Sequence, residues 1–279
     1  MNKRSPSQNE FVTLSSQLIA EKDPQAASML AEKLWRMTYR SKIPDEEITL
    51  LDRSSQEAIN FNSRVLNTYT WGTGTPALLI HGWNGRAGQM AEIASAMADA
   101  GFKAIALDLP AHGNSSGDET DLLEIISAIQ FLNQTKGPFH SVIAHSFGGI
   151  GLFKALQQGM AAERVVCIST PAHIETLLNK FTSTFNLSEQ VFLLVKERLE
   201  MTYGVEFWDE YSMQTMSSNI DIPGLLIHDS KDEYVGIESM FEINAAWPTS
   251  TVLPTQDLGH TKILNDPAVI QAITQFVLR

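Results

Sequence analysis

The spacing of apolar positions changes character near residue 60 of this chain. From Glu10 to Arg40, Leu14, Leu18, Ile19, Met29, Leu30, Leu34 and Trp35 recur at helical intervals. This predicts two amphipathic helices broken at Asp23-Pro24, where Asp23 can cap and Pro24 can take the first helical position. Residues 1–45 read as a helical extension packing on the rest; the spacing leaves open whether it is also a cover or a partner surface. Beyond it, Arg64–Trp71 alternates apolar and polar before Gly72-Thr73-Gly74, as an antiparallel strand with its hairpin would. Residues 77–80, 103–107, 141–144, 164–168 and 224–227 are continuous apolar runs, the pattern of strands buried on both faces of a parallel sheet. Helix-period stretches lie between them at 87–100, 119–134, 146–158 and 236–246. A last helix starts at Asp266-Pro267 and buries Val269, Ile270, Ile273, Phe276 and Val277. Alternating strands and helices imply an α/β fold, a mostly parallel doubly wound sheet with ligands at the carboxyl ends of its strands.

More than 50 residues separate the runs ending near Ser169 and starting near Gly224, too many for one crossover helix. Residues 171–182, 188–203 and 207–216 read as helices, so residues 171–218 form a helical insertion rich in Phe, Tyr and Trp.

Composition narrows the class. The chain of 279 residues is 43% apolar and 19% charged, which suits a folded protein able to bury a large core. Its net charge of −12 argues against general affinity for nucleic acid or anionic membranes. Nearly all of that excess falls after residue 60. No stretch approaches 18 consecutive apolar residues, and Lys3-Arg4 leads into a polar run that does not read as a secretory signal. The expectation is a cytoplasmic protein that binds a small molecule; the oligomeric state is not legible. The single cysteine, Cys167, cannot form an internal disulfide and reads as a core residue. The histidines show no metal-ligand spacing, and no phosphate-binding glycine loop follows a strand, so neither a metal nor another cofactor is expected.

The chemistry concentrates at turns. Ala144-His145-Ser146-Phe147-Gly148-Gly149 leaves a buried run and opens a helical one. A serine at so tight an apex is forced into strained backbone, and small residues two before and two after it let strand and helix nearly touch. Its hydroxyl would stand exposed beside a helix N-terminus that favours developing negative charge. The plainer alternative is a serine that only caps the helix.

This turn resembles the nucleophile elbow of the α/β-hydrolase superfamily, with Ala144 in place of the usual first glycine. The resemblance runs from about Val65 to the C-terminus. It implies an α/β-hydrolase fold with a catalytic domain over 46–279, a helical lid at about 171–218, and Ser146 as nucleophile. His81-Gly82-Trp83 after the first parallel run resembles the turn that completes the oxyanion hole, assigning that role to the backbone N–H groups of Trp83 and Phe147. His81 itself reads as a brace for the loop. Asp108 to Ser115 resembles a structural turn of the family, with His112 in place of one usual residue. His228 to Val235 resembles G-x-x-D-x-x-V and puts the acid at Asp232, with Asp229 as competitor. Leu258-Gly259-His260 matches the loop of the catalytic histidine. The order Ser146, Asp232, His260 is the order expected of this fold.

The resemblance implies a serine hydrolase, with a small-to-medium, neutral, apolar carboxyl ester as the expected substrate and Trp83, Phe147, Phe185 and Trp208 as expected contacts. The lid aromatics could equally serve only to pack. The lid carries 3 basic and 7 acidic side chains, which would repel anionic substrates. Amidase, thioesterase, lactonase, carbon–carbon hydrolase or acyltransferase chemistry would use the same residues, and a non-hydrolytic binding module is the alternative of another class.

Overall fold

The structure, a computed structural model, describes residues 6–279. Residues 1–5, including Lys3-Arg4 and the start of the N-terminal extension, lie outside the described residues. Helices α1 (Pro6–Ala20), α2 (Pro24–Arg36) and α3 (Asp45–Leu51) come first. Asp23 caps α2 by accepting from the Ala26 N–H at 2.9 Å, and Pro24 opens the helix. Strands β1 (Ser55–Phe61), β2 (Arg64–Trp71), β3 (Thr75–Ile80) and β4 (Phe102–Asp108) follow, with α4 (Ala91–Asp99) between the last two. Next come α5 (Leu122–Lys136), β5 (Ser141–His145), α6 (Phe147–Gln157) and β6 (Arg164–Ile168).

The insertion after β6 contains α7 (Ile174–Thr184), α8 (Glu189–Tyr203), α9 (Phe207–Glu210) and α10 (Met213–Ser217). The stretch read as one helix over 207–216 is therefore two short ones, because the Ser212 hydroxyl turns to cap the second through the Thr215 N–H. The chain closes with β7 (Gly224–Asp229), α11 (Glu238–Ala246), β8 (Ser250–Thr255), α12 (Gly259–Lys262) and α13 (Pro267–Val277).

Among the described residues, eight strands form one sheet in the order β1-β2-β4-β3-β5-β6-β7-β8. Only the β1–β2 and β2–β4 pairings are antiparallel. The apolar runs are buried on both faces because alternate residues feed two cores. Leu78, Ile80, Val142, Ala144, Val165 and Cys167 join one core, which α5, α6 and α11 cover. Ala77, Leu79, Ile143, Val166 and Ile168 join the other, under α4 and α13. The expected hairpin after Trp71 does not form. Gly72 and Gly74 instead carry the chain past β4, their Cα positions too close to the Phe102 and Gly101 carbonyls for any side chain. The tight turn lies on the other side of β2, at Asn62-Ser63, where Asn62 takes a φ of 50°.

The two N-terminal helices do not pack on the sheet. Their buried face, Leu18, Ala27, Ala31 and Leu34, meets Leu178, Val191, Val195 and Leu199 of α7 and α8. No helix of the described residues is long and apolar enough to cross a membrane.

Candidate active site

The chain enters the parallel part of the sheet at its centre. β4 lies on one side of β3 and β5 on the other, which opens a crevice at their carboxyl ends. Ile80 and Ala144, partners in the β3–β5 register, lead into the two turns that meet there. Ser146 sits at φ 52°, ψ −126°, the strained conformation its motif predicts. Its backbone N–H is held by the Ile168 carbonyl at 2.8 Å. A Cβ on Gly82 would lie 2.8 Å from Ser146 Cβ, and one on Gly148 would lie 2.5 Å from the His81 carbonyl oxygen. These glycines let the two turns touch, whereas Ala144, the departure from the family pattern, fits wholly buried in β5.

Ser146, His260 and Asp232, far apart in the chain, form one hydrogen-bonded series. His260 Nε2 is 3.0 Å from Ser146 Oγ, and its Nδ1 is 2.7 Å from Asp232 Oδ2. With the Nδ1 proton donated to the carboxylate, the Nε2 lone pair is left to accept the serine proton. Gly259 takes a φ of 67° to swing the imidazole into place. The side chain of Asp232 is fully buried, and its Oδ1 accepts the N–H groups of Tyr234 and Val235, both at 2.9 Å. Burial pushes its pKa upward, but hydrogen bonds from His228, His260 and Val235, with the charge of His260, outweigh that and hold it well below the usual carboxylate range.

Asp229, the competing acid, does not reach His260. Its oxygens accept from Lys231 N at 2.8 Å, Thr255 Oγ1 at 2.8 Å and Leu258 N at 3.1 Å, so it ties the end of β7 to the loop that leads into His260.

Two histidines that the motif reading left without a role brace this series. His228 Nε2 donates to the Val235 carbonyl at 2.9 Å and stands 3.5 Å from Asp232 Oδ2. His145 Nε2 donates to the backbone carbonyl of His260 at 2.9 Å, with the two rings 4.7 Å apart. Burial lowers the His145 pKa to about 3, so it is neutral at physiological pH. His81 braces its loop: Nδ1 donates to the Gly82 carbonyl at 2.7 Å while Nε2 accepts from Leu109 N at 3.0 Å. His112 is packed between His81 and Trp83, its pKa lowered by burial to about 4. Asp108 accepts from the Ala87 and Asn114 N–H groups, both at 2.7 Å, and burial raises its pKa to about 6.

A cavity of about 370 Å³ opens beside this series. Trp83 and Phe147, whose rings meet edge to face at 5.3 Å, form its wall next to Ser146. Tyr234, with its ring 5.2 Å from that of His260, also faces the cavity. Phe185 lines it, as expected from sequence, together with Phe181. Trp208 does not. Its indole N–H donates to Glu200 at 2.7 Å, and its ring packs between the main core and the α2–α7–α8 cluster. The acidic residues of the insertion are likewise absent from the cavity wall, whose charged members are Arg36, Asp121 and Lys180. Arg36 pairs with Asp121 at 3.1 Å, and Lys180 donates to the Glu233 carbonyl at 2.7 Å. The insertion's net charge is therefore a poor guide to what the cavity accepts.

The fold is the α/β-hydrolase fold. Residues 77–185 match the model of the alpha/beta hydrolase family. Among solved structures it is similar to an esterase from Pyrococcus furiosus (TM-score 0.64, 18% identity, covering 87% of this chain and 96% of that one). It is also similar to a bromoperoxidase from Bacillus anthracis (TM-score 0.64, 19% identity, 81% and 100%). A thioesterase domain from the curacin biosynthetic pathway gives a TM-score of 0.61 at 16% identity, over 81% and 99%. At these identities the likeness is one of fold. No curated protein matches the chain.

Proposed function

We propose that this α/β hydrolase is a serine hydrolase that cleaves small-to-medium, neutral, apolar carboxyl esters through an acyl-enzyme on Ser146. The observation that carries this reading is the Asp232–His260–Ser146 hydrogen-bonded series beside a largely apolar cavity. His260 takes the Ser146 proton as Oγ attacks the acyl carbon, then delivers it to the leaving alcohol. Asp232 holds the imidazole in the tautomer with the proton on Nδ1 and stabilises the imidazolium. The backbone N–H groups of Trp83 and Phe147 donate to no other group among the described residues. They are assigned as the oxyanion hole, where each donor is worth about 3–4 kcal/mol in comparable enzymes. Water activated by His260 then attacks the acyl carbon and releases the acid. The helical insertion serves as the lid over this chemistry.

A serine-directed fluorophosphonate followed by peptide mass mapping tests the nucleophile. The expected adduct is on Ser146 and is absent from Ser146→Ala. A panel of neutral p-nitrophenyl esters, thioesters and anilides tests the bond. The esters should turn over, with losses on the order of 10³-fold or more in Ser146→Ala and His260→Ala at unchanged circular dichroism. An unlabelled Ser146 rejects the nucleophile, and thioester or anilide turnover with neutral esters ignored rejects the ester assignment.

A further inference from the structure

We infer that the N-terminal helices are a fixed wall of the substrate cavity and that Trp35 limits the length of acyl chain the site accepts, an inference that rests on the ester-hydrolase reading above. Two aromatic pairs on different parts of the chain line the cavity. Trp83 and Phe147 belong to the turns around Ser146. Trp35 of α2 meets Phe181 of α7 edge to face, with ring centroids 5.5 Å apart and planes at 85°. Both pairs face the same space, so the cavity runs from the Trp83–Phe147 pair, of which Phe147 follows Ser146 in the chain, toward the seam between α2 and α7. Leu34 of α2 and Leu177 of α7 extend that seam. Trp35 is only partly buried and packs against both the main core and the α2–α7–α8 cluster, as a side chain closing a cavity between them would.

The end of α2 is stitched to the body of the domain, which makes this wall a fixed one. The Thr120 N–H donates to the Arg36 carbonyl at 2.9 Å, and Thr38 Oγ1 to the Ala111 carbonyl at 2.7 Å. The Tyr39 N–H donates to Asn84 Oδ1 at 2.6 Å, beside Trp83. Arg40 reaches the carbonyls of Gly113 and Ser115 at 2.9 and 2.8 Å. Trp35 is thus held one residue before a continuous splice between the extension and the loops bordering Ser146. Shortening it should lengthen the cavity without moving those loops. Each further methylene of a chain admitted to apolar surroundings is worth about a fourfold gain in binding.

The test is kcat/KM for p-nitrophenyl esters from acetate to dodecanoate with wild type, Trp35→Phe and Trp35→Ala. The expected result is an optimum that moves to longer chains in the order Trp, Phe, Ala. The dodecanoate-to-butyrate ratio should rise at least tenfold in Trp35→Ala. Trp35→Phe keeps an aromatic ring against Phe181 and gives a folded reference if the alanine variant is unstable. Calorimetric titration of 2-octanone and 2-dodecanone into Ser146→Ala, with and without the Trp35 substitutions, reads the cavity without turnover. An unchanged chain-length preference in both measurements overturns the inference. If wild type cleaves no ester but the ketone preference moves as expected, the ester reading fails and the wall stands.

Discussion

At the scale of single residues, chemistry depends on who holds whom. Asp232 is gripped by two backbone N–H groups and two histidines, so its carboxylate is set before any substrate arrives. Asp232→Asn retains the shape but loses the charge and favours the wrong imidazole tautomer. Ester turnover should fall by about 10³–10⁴-fold in stopped or continuous assays. The same carboxylate shapes acid stability. Its folded pKa lies below its unfolded value of about 4, so its contribution is fully present above that value and is lost as the pH falls below it. The gap in urea midpoint between wild type and Asp232→Asn should therefore narrow from pH 6 to pH 3. A gap that does not narrow would overturn this linkage. His145 is a subtler partner, since it donates to the backbone of His260 rather than to its ring. No motif marks that role, because the bond joins residues 115 positions apart.

At the scale of elements, the site depends on how closely β3, β5 and α6 approach. Gly148 lies on the first turn of α6 against the end of β3, where an added methyl would meet the His81 carbonyl oxygen and Ile80 Cγ2. Neither backbone can give way without moving the Trp83 N–H or Ser146. Gly148→Ala should cost about 1–3 kcal/mol in chemical denaturation and reduce activity in the folded fraction as well. A stability loss with full specific activity would separate packing from catalysis. Gly149 faces Thr170 after β6 in the same manner, so α6 is fixed on both sides of its first turn.

At the scale of the whole molecule, the N-terminal extension and the insertion share one core. Removing residues 1–36 would uncover Leu178, Val191, Val195 and Leu199, all buried against α1 and α2. The truncated chain should bind a fluorescent apolar dye strongly and elute as larger species in size-exclusion chromatography. A monomer with wild-type dye response would show that α7 and α8 cover that face themselves. Arg198 of α8 pairs with Glu32 of α2 along the same seam, which adds a polar tie that truncation also removes. The sequence by itself determined the buried strands, the strained serine turn and the order of Ser146, Asp232 and His260, because each is written in local spacing and turn chemistry. It also marked α2, whose Asp23-Pro24 start is a local signal. It did not determine that α2 would face the insertion, that Trp35 rather than Trp208 would meet the cavity, or that Asp229 would be spent on the loop before His260. Those outcomes depend on which apolar face finds a partner and which carboxylate reaches a ring about 30 residues away. Helical periodicity says that a face must be buried but not against what, and only the folded chain makes that choice.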